Sequence, residues 1–177
     1  GRGIPLDYNE GEGRFNWELV YCELYAGGKY DNNKGGMYEY SLGLNGLGAC
    51  ATQYSSEYMD VTVVRDKTQY TLHFEKGENI SGLVKEETVK KSTGTDIKWK
   101  PDKEVFTDIN IPSEYFKDIL KKQAIVNAGL IFEYYDEEAD EHETFVYENG
   151  IKDYINELNS GKGLTDSYYM ETETKGR

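Results

Sequence analysis

The sequence has 177 residues, of which 37% are hydrophobic and 30% are charged, and its formal net charge is −13. This composition is typical of a globular domain with its own core, and no apolar run is long enough to cross a membrane. The acidic charge argues against a surface that binds nucleic acid directly, because phosphate contacts need clustered lysine and arginine. Two cysteines, Cys22 and Cys50, favour a reduced intracellular protein over a disulfide framework.

The first quarter of the chain is rich in glycine. Residues 1–14 combine glycine and proline with polar residues, which predicts a loop. Asn16 is predicted to cap a helix that runs from about Trp17 to Tyr25. Residues 26–48 contain seven glycines interspersed with tyrosine, methionine and leucine, which indicates a flap that can pack down. A short helix is expected over about residues 46–55.

The hydrophobic period changes to two between Met59 and Glu75, which predicts a β-hairpin whose turn lies at residues 65–68. A polar segment follows over residues 76–94, with a short strand near Leu83 and Val84. Another strand is expected over about residues 95–100, where it ends at a proline.

The last third of the sequence predicts two helices that flank a hairpin. Ser113 is expected to cap a helix that ends near Val126, and a second helix is expected over residues 150–159. Strands over 130–135 and 144–147 enclose an acidic turn, and a further strand begins near residue 167. Each helix has an apolar stripe that is predicted to be buried. The stripes are Phe116, Ile119, Leu120 and Ala124 in the first helix, and Ile151, Tyr154, Ile155 and Leu158 in the second.

Hairpins combined with separate helices predict an α+β fold, in which helices cover one face of a mixed, mostly antiparallel sheet. The sequence shows no internal repeat and predicts no internal domain boundary.

Four glycine-containing clusters allow the backbone to approach a ligand closely. They are Gly1–Pro5, Ala26–Tyr30, Gly43–Gly48 and Thr93–Thr95. The third leads into a predicted helix, an arrangement that points backbone N–H groups at an anion. Each cluster alone is most often an ordinary turn, and no P-loop pattern is present.

The order of the clusters is more specific than any one of them. The segments GRGIP, LYAGGKY, GLNGLG and TGT resemble, in that order, the ATPase domain of the B subunits of DNA gyrase and topoisomerase IV. That domain belongs to a superfamily shared with heat-shock chaperones, MutL and histidine kinases. The resemblance covers nearly the whole chain and includes Glu148–Lys152. It implies a Bergerat-type two-layer fold whose N-terminal part is missing, with a partial ATPase domain over 1–166, an ATP lid over about 24–48, and the start of a transducer domain over 167–177.

The resemblance also implies an ATP site made of two groups of residues. The first group would surround the adenine, with an apolar wall where coumarin-type inhibitors of the family bind. It comprises Gly1, Gly3, Ile4, Pro5 and Thr95, with Arg2 and Arg65 at the rim. The second group would hold the phosphates, and it comprises Lys29, Gly43, Leu44, Asn45, Gly46, Leu47, Gly48 and Ala49.

The groups that carry hydrolysis in this family would lie upstream of Gly1. They are a Glu general base and an Asn that ligates Mg²⁺, and an Asp that reads the adenine amino group would directly precede Gly1. We therefore expect the chain to be part of a longer protein, and expect this part alone to bind ATP weakly or not at all and not to hydrolyse it. The longer protein would use ATP and Mg²⁺ in the cytoplasm to drive DNA strand passage, with a second B subunit, an A subunit and DNA as partners.

Four lid positions depart from the family pattern. The family commonly has histidine where Tyr25 and Asn45 stand, glycine where Leu42 stands and often a basic residue where Glu39 stands. Glu39 would place negative charge near phosphate. These changes keep open an alternative function as a non-hydrolysing, nucleotide-responsive or protein-interaction module of a divergent paralogue. His73 and His142 are too isolated to predict a metal site, and the acidic run before His142 lacks EF-hand spacing.

Overall fold

A tight turn at Asp66 and Lys67 organises the first half of the computed structural model, which describes residues 1–26, 46–160 and 162–170. Both turn residues have positive φ, 50° and 60°, as a two-residue hairpin turn requires. The turn joins β3 (Ser56–Arg65) to β4 (Thr68–Glu75), and the whole of β4 pairs antiparallel with β3 from Tyr58 to Arg65. The predicted hairpin is therefore confirmed.

Three further strands extend this hairpin into a sheet. The strand β7 (Gly94–Pro101) pairs with the free side of β3, and β5 (Glu78–Asn79) and β6 (Val84–Glu87) pair with β4. All pairings among the described strands are antiparallel. The sheet was predicted to be mixed, but the described residues contain no parallel strand pair.

The core lies on one face of this sheet, under the helix α1 (Asn16–Cys22). Because side chains alternate across a strand, every second residue of β3 and β4 faces the helix. Burial of each large apolar side chain stabilises the fold by about 1.5–3 kcal/mol. The buried cluster consists of Leu6, Tyr21, Met59, Val61, Val63, Leu72 and Phe74.

The start of the chain is more ordered than its composition predicts. Within the predicted loop, β1 (Tyr8–Asn9) pairs with β2 (Arg14–Phe15). The prediction that Asn16 caps α1 is wrong, because Phe15 occupies the N-cap position. The N–H of Phe15 donates to the Glu18 carboxylate at 2.8 Å. The amide of Asn16 instead bonds the side chains of Asn9 and Asp7.

The helix α1 ends at Cys22, three residues before the predicted end. The next residue is extended, and Tyr25 has a φ of 62°, a left-handed conformation that cannot continue a right-handed helix.

The helix α2 (Gly48–Tyr54) occupies most of the predicted 46–55 segment and buries Cys50 and Gln53. The side-chain oxygen and nitrogen of Gln53 are both buried and have no hydrogen-bond partner among the described residues. Each buried polar group without a partner lowers the free energy of unfolding by about 1–3 kcal/mol.

Replacing Gln53 with methionine is therefore expected to raise the free energy of unfolding by about 1–2 kcal/mol, because methionine fills a similar volume without polar atoms. Urea unfolding monitored by circular dichroism measures the change. Gln69 on β4, whose amide oxygen accepts a hydrogen bond from Lys90 at 3.2 Å, provides the control Gln69→Met. A stability unchanged or lowered by Gln53→Met would show that the amide is satisfied.

The chain forms two compact units, residues 1–109 and 110–177, a boundary that the sequence pattern does not predict. The second unit contains α3 (Ser113–Val126), β8 (Phe132–Asp136), β9 (Glu141–Phe145) and α4 (Ile151–Asn159), with β8 and β9 paired antiparallel. Both predicted helices and the hairpin are confirmed. None of the described helices is long and apolar enough to cross a membrane.

Asp136 accounts for two differences from the prediction in this unit. Its carboxylate accepts hydrogen bonds from the N–H groups of Glu138 and Ala139, each at 3.0 Å, so the turn is short and β9 begins inside the predicted acidic turn. Ser113 does not cap α3, because its hydroxyl donates to Asp136 at 2.6 Å and Pro112 occupies the N-cap position. The Ser113 hydroxyl and then the backbone donors lower the pKa of Asp136.

The predicted burial of the two helix stripes is mostly wrong. Ala124 is buried, but Phe116, Ile119 and all the predicted stripe residues of α4 retain solvent exposure. A two-stranded sheet offers too little surface to cover two apolar helix faces. The strand predicted from residue 167 is absent over 167–170, the portion of that segment that is described.

Candidate functional site

The first five residues lie against the sheet where β3 ends and β7 begins. The N–H of Ile4 donates to Oγ1 of Thr95 at 3.0 Å, and the hydroxyl of Thr93 donates to the carbonyl of Gly1 at 2.7 Å. Two glycine clusters separated by about ninety residues of sequence are thus joined directly. Thr95 is opposite Val63, so its side chain is on the same face as the core.

Gly3 allows the closest approach in this contact. Its φ is 80°, and a Cβ atom there would lie 2.9 Å from both Cγ1 of Val63 and the carbonyl oxygen of Val64. It would also lie 3.2 Å from the carbonyl oxygen of Gly94. Only glycine meets both the conformational and the steric requirement, which explains why this turn can lie directly on the strand ends.

One side of the Gly1–Pro5 turn is exposed to solvent, and the other side packs against the core. Gly1 and Arg2 are exposed, Ile4 and Pro5 are half-buried, and Ile4 packs against the core next to the fully buried Leu6. The hydroxyl of Thr95 accepts the hydrogen bond from Ile4, and its own hydrogen has no acceptor in the described parts of the chain. The contact therefore holds the Thr95 hydroxyl oxygen beside half-buried apolar groups.

The predicted phosphate-binding residues are only partly described. Lys29, Gly43, Leu44 and Asn45 lie outside the described residues, as do Glu39 and Leu42. Gly46 has a φ of 61°, Leu47 caps α2, and Gly48 and Ala49 form its first turn. The described hydrogen bonds of this turn stay within the helix, such as that from the Ala51 N–H to the Leu47 carbonyl at 2.9 Å.

The two cysteines are free, as the sequence predicts, and neither has the properties of a nucleophile. Burial raises the pKa of Cys22 to about 11, with smaller contributions from Cys50 and Glu18, and burial also raises the pKa of Cys50. A reactive cysteine needs the opposite shift, because the thiolate is the attacking form.

The ionic cluster around His73 was not predicted. Nδ1 of His73 lies 2.6 Å from Oδ1 of Asp60, and Nε2 lies 3.1 Å from Oε1 of Glu75. Hydrogen bonding to Asp60, followed by that to Glu75, raises the pKa of His73. Asp60 is a neighbour of His73 only through the β3–β4 register, in which the two residues face each other, whereas Glu75 lies two residues further along the same strand. No group of three or more acidic, histidine or cysteine side chains suited to a metal ion occurs in the described ranges.

No protein-family model matches the chain. The DNA gyrase B subunit of Spiroplasma citri is 36% identical over 177 residues, which cover 97% of the chain and 27% of that protein. The DNA topoisomerase 4 B subunit of Salmonella typhimurium is 33% identical over 162 residues, which cover 91% of the chain and 25% of that protein. The chain thus spans about a quarter of the length of these relatives.

Solved structures of ATPase domains from the same two kinds of subunit are also similar to the chain. The 43K ATPase domain of Thermus thermophilus gyrase B, in complex with an aminocoumarin, matches 91% of the chain with a TM-score of 0.71 and 25% identity. The topoisomerase IV ATP-binding domain of Francisella tularensis, in complex with a small-molecule inhibitor, matches 99% with a TM-score of 0.74 and 26% identity. The chain covers 39% and 45% of those two proteins. The predicted α+β ATPase fold is confirmed.

Proposed function

Because the chain belongs to the family of ATPase domains found in the B subunits of DNA gyrase and topoisomerase IV, we propose that it supplies the adenine side of an ATP site. The observation that supports this role is the hydrogen bond from the Ile4 N–H to the Thr95 hydroxyl. Because that bond occupies a lone pair of Oγ1, the hydroxyl hydrogen is directed away from Ile4. It is then available to donate to a ring nitrogen of adenine or to a bridging water.

The neighbouring residues fit the apolar part of a nucleotide. Ile4 and Pro5 are half-buried beside Thr95 and form the wall on which an adenine ring would pack. Gly1, Gly3 and Arg2 form the turn and the rim, and Arg65 is assigned to the same rim. The side chain of Arg65 contacts Asp66, with Nε 3.1 Å from Oδ2, and it is partly exposed.

The phosphate side is assigned to the second group of residues. Lys29 would supply a positive charge, and the backbone N–H groups from Gly43 to Ala49 would bind phosphate oxygens near the start of α2. Bound Mg²⁺ would neutralise phosphate charge during hydrolysis. Its protein ligand is assigned to an Asn upstream of Gly1, together with a Glu general base.

For the longer protein we propose ATP-driven DNA strand passage by a type II topoisomerase. A second B subunit would meet the ATPase domain, and an A subunit and DNA would bind other domains. The net charge of −13 supports this division, because a strongly acidic surface repels the DNA backbone. The cytoplasm is the proposed location.

Replacing Thr95 with valine tests the proposed adenine contact. The change preserves the shape of a β-branched side chain but removes the hydroxyl, so ATP affinity is expected to fall about threefold to tenfold. Displacement of a fluorescent ATP analogue from the longer protein, with and without the substitution, measures this affinity. Thr71→Val, on β4 and facing away from the core, is the matched control and should leave the affinity unchanged. Equal affinities for Thr95→Val and the unchanged chain would refute the assignment.

The alternative function, a non-hydrolysing nucleotide-responsive or protein-interaction module, depends on Glu39, Leu42 and Asn45, which lie outside the described residues. A steady-state ATPase assay on the longer protein, with and without its upstream Glu, separates the two functions. Turnover that depends on that Glu supports the enzyme, and nucleotide binding without turnover supports the alternative.

A further inference from the structure

His73 contacts a carboxylate with each of its two ring nitrogens. Nδ1 lies 2.6 Å from Oδ1 of Asp60, which faces it from β3, and Nε2 lies 3.1 Å from Oε1 of Glu75 on its own strand. A neutral imidazole carries one N–H, so it can donate to one of these carboxylates but not to both. The arrangement in which both nitrogens donate is therefore that of the protonated ring.

The backbone of His73 brings its ring close to Asp60. Its N–H donates to Oγ of Ser81 at 2.9 Å, and its carbonyl accepts from the N–H of Ile80 at 2.9 Å. Both backbone groups thus point away from β3, so His73 and Asp60 form a non-hydrogen-bonded antiparallel pair. Cross-strand side chains are closest in such pairs. The register of the sheet consequently fixes the contact between the imidazole and the carboxylate of β3.

The charges on this face of the sheet favour the protonated ring. Lys98 lies opposite Asp60, and Lys100 is already paired with Glu57 at 2.8 Å. Carboxylates outnumber lysines on the face, so the local potential attracts a proton to His73. The charged side chains of this face are Asp60 from β3, Glu75 from β4, Glu78 from β5, Glu86 from β6, and Asp96, Lys98 and Lys100 from β7. The phenol of Tyr58 also lies on it, opposite Glu75.

We propose that Asp60, His73 and Glu75 form a proton-dependent clamp between β3 and β4, tight when the imidazole is protonated and weakened when it is neutral. In the neutral ring, the bond that remains loses its charge assistance, which supplies about half of the strength of such a bond. The other nitrogen then turns a lone pair towards a carboxylate oxygen. None of the three residues is assigned to the nucleotide site, so the clamp is independent of the proposed function.

The clamp stabilises the hairpin at low pH. Hydrogen bonding to Asp60, and then to Glu75, raises the pKa of His73 in the folded protein above the value of about 6.5 expected in an unfolded chain. A raised pKa means that the stabilisation is complete below about pH 6.5 and is lost as the pH rises through the folded pKa. The side chain of His73 is 35% exposed, so water and salt partly screen the effect.

Hydrogen exchange of the longer protein, measured by mass spectrometry on peptides that contain β3 and β4, tests the clamp at about pH 6 and about pH 9. At each pH, the exchange rate of His73→Gln is divided by that of the unchanged protein, which cancels the intrinsic pH dependence of exchange. The ratio should be about twofold to fivefold at the lower pH, as for a partly exposed ion pair, and should fall towards one at the higher pH.

Two further variants separate the clamp from a general effect of the substitution. In an Asp60→Asn background, replacing His73 should change the exchange rate much less at the lower pH, because the cross-strand carboxylate is gone. Lys100→Gln is the matched control, since it breaks the ion pair with Glu57, and hydrogen bonding to Glu57 raises the pKa of Lys100 above its ordinary value. Lys100 is therefore charged throughout the pH range, and its ratio should be the same at both pH values.

The proposal is overturned by a ratio for His73→Gln that does not differ between the two pH values. It is also overturned if the Asp60→Asn background leaves that ratio unchanged, or if Lys100→Gln shows the same dependence on pH.

Discussion

Replacing Gly3 with alanine is expected to lower the free energy of unfolding by about 2–4 kcal/mol, because a left-handed conformation and a steric clash act together. The new methyl group would lie 2.9 Å from Cγ1 of Val63 and from the carbonyl oxygen of Val64. The backbone oxygen cannot rotate away, so the turn must move off the sheet. The hydrogen bond between Ile4 and Thr95 should then be lost.

Gly13 supplies a matched control for this prediction. Its φ is 67°, close to the 80° of Gly3, but a Cβ atom there would meet nothing within 4 Å. Gly13→Ala should therefore lower the free energy of unfolding only through the left-handed conformation, by about 1 kcal/mol. Urea unfolding of both variants, followed by circular dichroism, measures the difference. Equal losses would mean that Gly3 does not lie against the strand ends.

Replacing Phe74 with alanine is expected to cost about 3–5 kcal/mol, because it opens a cavity in the centre of the core. Phe74 is 1% exposed. The centroid of its ring lies 6.0 Å from the ring centroid of Trp17 and 5.8 Å from that of Tyr21. Domains of this size are stable by about 5–15 kcal/mol in total, so the variant should be partly unfolded under ordinary conditions.

Phe106 is the control for the core substitution, since it is 42% exposed. Phe106→Ala is expected to cost about 1 kcal/mol, mostly through lost partial burial. Thermal unfolding by calorimetry measures both variants on the same scale. If Phe106→Ala were the more damaging of the two, the assignment of the core to the β3–β4 face would be wrong.

The β3–β4 hairpin shows why part of the fold could be predicted from the sequence. Its strands alternate apolar and polar residues, and this period of two directly determines which side chains face the core. Met59, Val61 and Phe74 are buried as the alternation requires. The helices α3 and α4 were predictable for the same reason, since their apolar residues follow the helical period.

Contacts that depend on three-dimensional pairing could not be predicted in this way. The His73 cluster depends on the register that places Asp60 opposite His73. The end of α1 depends on the extended backbone of Glu23, a conformation that its residue type does not indicate. The exposed stripes of α3 and α4 could not be predicted either, because periodicity identifies an apolar face without showing what covers it.

For the candidate site, the order of the glycine clusters carried more information than local periodicity. The structure joins the clusters around Gly3 and Thr95 by hydrogen bonds between the N-terminal turn and the residues at the start of β7.

The proposed adenine site is tested most directly by mapping ATP binding onto the amide signals of the chain with two-dimensional NMR, which detects weak binding residue by residue. The amide signals of Gly3, Ile4 and Thr95 should shift together as ATP is added, with one common dissociation constant. Signals from the second unit, such as those of β8 and β9, should not move. Shifts confined to the second unit, or no shift at Ile4 and Thr95 when other signals saturate, would contradict the account.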